Sequence, residues 1–258
     1  MFQCFRDWPQ TCTLWRCGTQ DGKYPHWIRE ETLKLAKFGL LCITAGTVLH
    51  AETADDRLQT ATTVLSEIMA APDKGIPQDL LEGAHCIVVV PGLKKGAFIV
   101  GGKYGKGFMS CRRATGVGWS APAAMRVEGG SFGFQIGGSE TDAIMLVMNT
   151  RGATKLMESK FTLGGDASVA AGPVGRSSTA NTDAKMQAEI LTYSRSRGAF
   201  AGVALDGATL RPDEEGNKEL YGNENLKTQQ IVEGKVKTTA AGRQFVAQLN
   251  KYSRVKEK

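Results

Sequence analysis

The sequence predicts a single α+β domain: a glycine-rich, curved antiparallel sheet flanked by helices at its N- and C-terminal ends. Three observations carry this. Apolar residues recur at helical spacing near residue 60 and again near residue 245. Apolar runs of strand length fill the interval between them. Twenty-three of the 31 glycines fall between Gly92 and Gly222, roughly 18% of that stretch, where ~7% is ordinary. Glycine this dense, without a collagen period, marks turns, bulges and close backbone approaches in a strongly bent sheet.

Each element follows in order. Residues 53–70 place Leu58, Ala61, Leu65 and Ile68 at helical spacing, with Asp55 and Asp56 in the first turn, where the helix dipole favours them. Pro72 and Gly75 end that helix, and a short one follows over 77–82 with Pro77 at a favoured early position. Residues 86–90 are an unbroken apolar run before Pro91-Gly92 and read as a buried strand. Strands are expected over 97–100 and 107–112, joined by the loop 101–107, then over 131–136 and 143–148 with Gly137-Gly138 between. A helix over 150–158 precedes strands at 167–171, 190–195 and 199–205, with a turn at Gly198. The small-residue segment 164–175 is expected in the interior, Asp166 satisfying local amides. A last helix carries Ala241, Phe245, Leu249 and Tyr252 on one face.

Composition excludes some classes. At 258 residues, 41% hydrophobic and 22% charged, the chain is no disordered polymer, and no stretch supplies the ~20 uninterrupted apolar residues of a membrane span. Lys34 and Lys37 precede an apolar run of twelve residues, 38–49, and Ala51 stands before an acidic stretch. That order describes a signal peptide over 33–51. On this reading translation starts at Leu33, residues 1–32 are an upstream extension from a misplaced start, and the domain runs over 52–258. The expected location is then outside the cytoplasm: periplasm, cell envelope or secreted. Four of six cysteines precede residue 52. Cys86 and Cys111 could pair in an oxidising compartment or remain two buried thiols.

Catalytic patterns are wanting. In the run 101–107, Lys106 is followed by Gly107 and Phe108, so neither a phosphate-binding loop nor a dinucleotide fingerprint is met. There is no G-x-S-x-G, and His85 is the single histidine after residue 50. With no CxxC pair and no EF-hand loop, no metal site or cofactor is expected, and no enzyme. Asp166, Asp183 and Asp206 stand beside glycine or threonine, as turn-forming aspartates do.

Charge is more informative. Between Glu82 and Glu128 there is no acidic residue, while Lys94, Lys95, Lys103, Lys106, Arg112, Arg113 and Arg126 give +7 over 45 residues. With 97–100 and 107–112 as a hairpin, Lys103 and Lys106 would project from its tip. A one-sign patch concentrates anions; lysines also guard exposed strand edges. Arg195 and Arg197 share parity with Leu191 and Tyr193 in a predicted strand, and are added to the anion site as candidates.

The stretches CIVVVPGLKKGAFIVGGKYGKG, GWSAPAA, GGSFGFQIGG, DAIMLVMN, FTLGGDASVAAGPVGR, ILTYSRSRGAFAGVALDGATL and NKELYG resemble the SYLF domain, also called the Ysc84 actin-binding domain, over roughly 55–225. The resemblance implies a lipid-binding module without catalytic activity or cofactor, whose eukaryotic members bind phosphoinositide membranes and in some cases actin filaments. Membrane contact in that family is attributed partly to an amphipathic N-terminal helix; here Glu52, Asp55 and Asp56 stand at its start, where anionic lipid would repel them. The expected function is therefore an exported, non-catalytic module binding anionic, phosphoinositide-like lipid through Lys94, Lys95, Lys103, Lys106, Arg112, Arg113, Arg195 and Arg197. Expected partners are an anionic lipid or membrane surface, not nucleic acid, and not actin if the chain is exported. The alternative is a cell-envelope structural or assembly protein with a protein or polysaccharide partner.

Overall fold

The computed structural model describes residues 52–253 except 72–74, 98–99, 115–116, 133–136, 159, 174–187, 197–198, 203–204, 206 and 235. The signal-peptide reading of 33–51, the upstream segment 1–32, Arg197, the turn at Gly198, Asp183 and Asp206 lie outside the described residues.

Side-chain alternation in the central strands dictates the layers. In β1 (Cys86–Ala97), Ile87 and Val89 join one core, Cys86, Val88 and Val90 another, and all five are buried. A strand apolar on both faces needs cover on both. Helices α1 (Ala54–Ala70), α2 (Gln78–Gly83) and α6 (Ala240–Tyr252) supply it on the face of Val89, Phe108, Ile144 and Leu191. On the face of Val88, Met109, Met125 and Met145 the cover is α3 (Thr150–Leu156), α5 (Thr228–Val232) and the chain around Phe161 and Leu163.

Around β1 lie β2 (Val100–Cys111), β3 (Ala123–Phe132), β4 (Gly137–Val147), β5 (Phe161–Thr162), β6 (Val169–Ala171), β7 (Ile190–Ser196), β8 (Ala199–Gly202) and β9 (Thr209–Pro212). The order in the curled sheet is β5-β9-β3-β2-β1-β4-β7-β6, with β8 also on β7. Every pairing is antiparallel except β6 with β7, whose long connection permits a parallel return. This is the α+β class read from the sequence, with helices at both ends of the described region. Cys86 and Cys111 are register partners and form a disulfide.

The first helix keeps its acidic residues occupied. Asp56 closes a capping box with Thr53, whose Oγ1 accepts from the Asp56 amide at 3.1 Å. Asp55 accepts from Thr239 Oγ1 at 3.2 Å. Leu58, Ala61, Val64, Leu65 and Ile68 are all buried in the core.

Three differences from the sequence reading have local causes. The stretch 101–107 is strand rather than loop: Lys95 pairs with Lys103, Gly96 with Gly102 and Ala97 with Gly101. Glycines 105 and 107 serve close approach instead, since a Cβ on Gly107 would lie 2.2 Å from the Val89 carbonyl oxygen. Second, β3 starts at Ala123, eight residues before the predicted strand, because its alanines and glycines carry little strand propensity; Gly137-Gly138 open β4 rather than separate two strands. Third, β9, α4 (Glu214–Tyr221) and α5 were not legible. In α4 Asn217 is buried along with Gly216 and Leu220, its Oδ1 accepting from the Ala124 amide at 2.7 Å, and a polar core residue breaks the apolar period. The segment at 164 is also only partly interior: Gly164, Gly165 and Asp166 are exposed, although Asp166 Oδ2 does accept from the Thr162 amide at 2.6 Å.

Candidate binding site

A cavity of about 610 Å³ opens on the helix-covered face beside α1. Its floor is a break in β1. Register with β2 shifts between Val89 and Lys94, and with β4 between Val90 and Leu93. Gly92 there has φ +58°, a left-handed value that glycine takes without strain. The Gly92 amide donates to Asp142 Oδ1 at 3.0 Å, so a β4 carboxylate holds the bulge.

Two rows of side chains cross the strands at this break. In the first, Tyr104 on β2, Lys94 on β1 and Glu140 on β4 are successive register partners, and all three line the cavity. The second contains Lys106 on β2, then Asp142 on β4 opposite Arg195 on β7. Glu52, Arg57 and Thr60 close the side. Most of these charges are matched. Arg57 pairs with Glu52 at 3.5 Å, and Lys106 with Asp213 at 3.3 Å and Glu215 at 3.9 Å. Arg195 pairs with Asp142 at 3.0 Å and also with Glu67. Among the described residues, Lys94 and Glu140 have no ion-pair partner.

The eight cations read from the sequence do not share one surface. Lys94, Lys106 and Arg195 line the cavity. Lys106 and Lys103 are strand residues, not a hairpin tip, because the strand runs on past both to Val100. Lys95 and Lys103 lie on the opposite face as direct register partners. Burial lowers the Lys95 pKa, and the neighbouring Lys103 lowers it further. No carboxylate among the described residues pairs with either lysine. Arg112 and Arg113 follow the other end of β2. Arg112 donates to the carbonyls of Ser253, Leu81 and Glu82 and stacks 4.2 Å from the Trp119 ring centre, while Arg113 donates to the Trp119 carbonyl.

Sequence reasoning missed Glu52, Arg57, Glu140 and Asp142, which are remote in sequence from the basic run. The available signal was Pro91-Gly92 inside an apolar strand, the mark of a bulge. Among the described residues no group of three or more His, Cys, Asp or Glu side chains could hold a metal ion.

Comparison with known proteins adds the family context. A family model described as Ysc84, "Las17-binding protein actin regulator", matches residues 128–252. The chain is 33% identical over 166 residues to SH3 domain-containing YSC84-like protein 1 of Xenopus laevis, spanning 64% of this chain and 49% of that protein. It is 35% identical over 173 residues to LAS seventeen-binding protein 3 of Saccharomyces cerevisiae, spanning 66% and 37%. The human SH3 domain-containing YSC84-like protein 1 is 35% identical over 151 residues, 58% and 44%. The chain spans about half or less of the length of these relatives.

Proposed function

Because this chain belongs to the Ysc84 family, we propose that it is a non-catalytic binding module, exported to the periplasm, envelope or exterior, that takes anionic phosphate-bearing lipid on the β1–β2 hairpin. The observation that carries this is the Lys95–Lys103 pair. Like charges directly opposite in a ladder destabilise a sheet, and here no carboxylate among the described residues offsets them. A phosphate between the two ammonium groups removes that cost. Each basic residue near an anionic surface contributes on the order of 1 kcal/mol. The apolar face of α1 is spent in the core, which leaves membrane contact to the sheet. A Cys86–Cys111 disulfide suits an oxidising compartment and so supports export.

Flotation with phosphatidylcholine vesicles, with and without a phosphoinositide, tests the lipid reading. The double variant Lys95→Glu, Lys103→Glu is expected to lose anionic-lipid binding by about 2–4 kcal/mol, since two attractions become repulsions. Wild-type flotation of that variant at low salt refutes the reading. N-terminal sequencing of the native protein tests export; a mature chain retaining Trp8 or Trp15 refutes it. A second reading rests on the relatives' names: a protein partner of the actin-regulator kind, or an envelope assembly partner. A chain that floats with no vesicle yet retains a specific protein on an affinity column favours it.

A further inference from the structure

The cavity beside α1 lies on the other face of the sheet from Lys95 and Lys103, and it has its own charge logic. Arg57, Lys106 and Arg195 each have a carboxylate within ion-pair distance. What remains is one cation, Lys94, and one carboxylate, Glu140. The two are register partners across β1 and β4, a position where opposite charges attract, yet no ion pair joins them. The bulge explains why. Glu140 lies over Gly92, its Oε1 2.7 Å from where a Cβ would stand on that residue. A glycine two residues back along β1 thus receives the carboxylate, and the ammonium of Lys94 is left unmatched. Tyr104, the partner of Lys94 on its other side, is 49% exposed and lines the same space.

We propose that this cavity binds a small zwitterion in which an ammonium is joined by a short linker to a phosphate, Lys94 taking the phosphate and Glu140 the ammonium. A purely anionic ligand would satisfy Lys94 but lie against Glu140 and Asp142; a purely cationic one would meet the reverse. Only a ligand with both charges completes both residues. Lys106 and Arg57 line the same space as Lys94 and favour a phosphate, which carries more charge than a carboxylate. At about 610 Å³ the cavity lies within the roughly 300–1,000 Å³ of small-molecule sites and admits such a ligand with room for a group attached to its phosphate. The chemistry is shared by free phosphoethanolamine and by the phosphatidylethanolamine head group.

Titration calorimetry of the whole chain with O-phosphoethanolamine tests this without a membrane. Glycerol 3-phosphate and ethanolamine supply each charge alone. Wild-type protein is expected to bind phosphoethanolamine at least tenfold more tightly than either. Glu140→Gln should erase its advantage over glycerol 3-phosphate, and Lys94→Gln its advantage over ethanolamine, while both variants keep the wild-type melting temperature. The proposal is overturned if glycerol 3-phosphate binds as tightly as phosphoethanolamine, if both variants bind like wild type, or if no heat is seen. Glu140-dependent flotation on phosphatidylethanolamine vesicles, competed by free phosphoethanolamine, assigns the site to the lipid; binding of the free compound alone assigns it to a soluble ligand. Lys95 and Lys103 are untouched throughout, so failure here is distinguishable from failure of the anionic-lipid reading.

Discussion

Arg112→Ala is expected to destabilise the fold by about 4–7 kcal/mol while leaving anionic-vesicle binding by the folded protein unchanged. The side chain ties three elements together. Its Nη1 donates to the Ser253 carbonyl at 3.0 Å, next to the end of α6, and its Nη2 to the Leu81 and Glu82 carbonyls of α2 at 3.3 and 3.2 Å. A hydrogen bond to a charged group contributes about 1.5–3 kcal/mol, and the two Nη2 contacts share one nitrogen, so they count as one. Stacking on Trp119 at 4.2 Å adds about 1 kcal/mol at a partly desolvated site. The Trp119 indole in turn donates to Ser253 Oγ at 2.8 Å, so losing the guanidinium loosens a second anchor of the α6 end. For a unit of this size each kcal/mol moves the melting point by about 2–4 °C, which predicts a fall of roughly 8–28 °C. Urea unfolding followed by circular dichroism measures the loss directly, and Arg112→Lys should recover part of it by keeping the charge without the fork. A loss below about 1 kcal/mol with an unchanged denaturant slope would refute the clamp. Lost vesicle binding at wild-type stability would return Arg112 to the lipid surface.

Other outcomes follow from single contacts. Gly107→Ala should cost about 3 kcal/mol or more in chemical denaturation, because its Cβ meets the Val89 carbonyl oxygen and the Val90 Cα, neither of which can rotate away. Tyr193→Phe should be neutral or stabilising by up to about 1 kcal/mol in the same assay; the hydroxyl is buried without a hydrogen-bond partner among the described residues, and burial alone pushes its pKa up. Reducing Cys86–Cys111, which closes a loop with a sequence separation of 25, should lower stability by about 3.5 kcal/mol on the chain-entropy estimate. Equal melting with and without reductant would show that the bond does not form in the native protein.

Local pattern was enough wherever one period governed a whole segment. Leu58, Leu65 and Ile68 announce α1, Phe245 and Leu249 announce α6, and the run from Cys86 to Val90 announces a strand buried on both faces, because each stretch faces a single apolar environment. Asn217 shows where that logic stops: its burial is satisfied by the amide of Ala124, 93 residues away, and no local period records such a partner. Glycine is ambiguous for the same reason. At Gly92 it permits a positive φ, while at Gly107 it makes room for a neighbouring backbone, and one residue letter stands for both.

The fold class, the resemblance to the Ysc84 family, the basic stretch and the parity that puts Leu191, Tyr193 and Arg195 on one side of β7 are all legible along the chain. What the charges do is set by packing between elements. Alternation sends Lys94 and Lys95 to opposite faces of one strand, and pairing then gives Lys95 a second lysine and Lys94 an aromatic ring and a carboxylate. Arg112 is drawn instead to carbonyls at the ends of two helices. A run of like charges in sequence is a statement about neighbours along the chain, but Coulomb interaction and hydrogen bonding act over a few ångströms in space, and in a sheet those neighbours come from other strands.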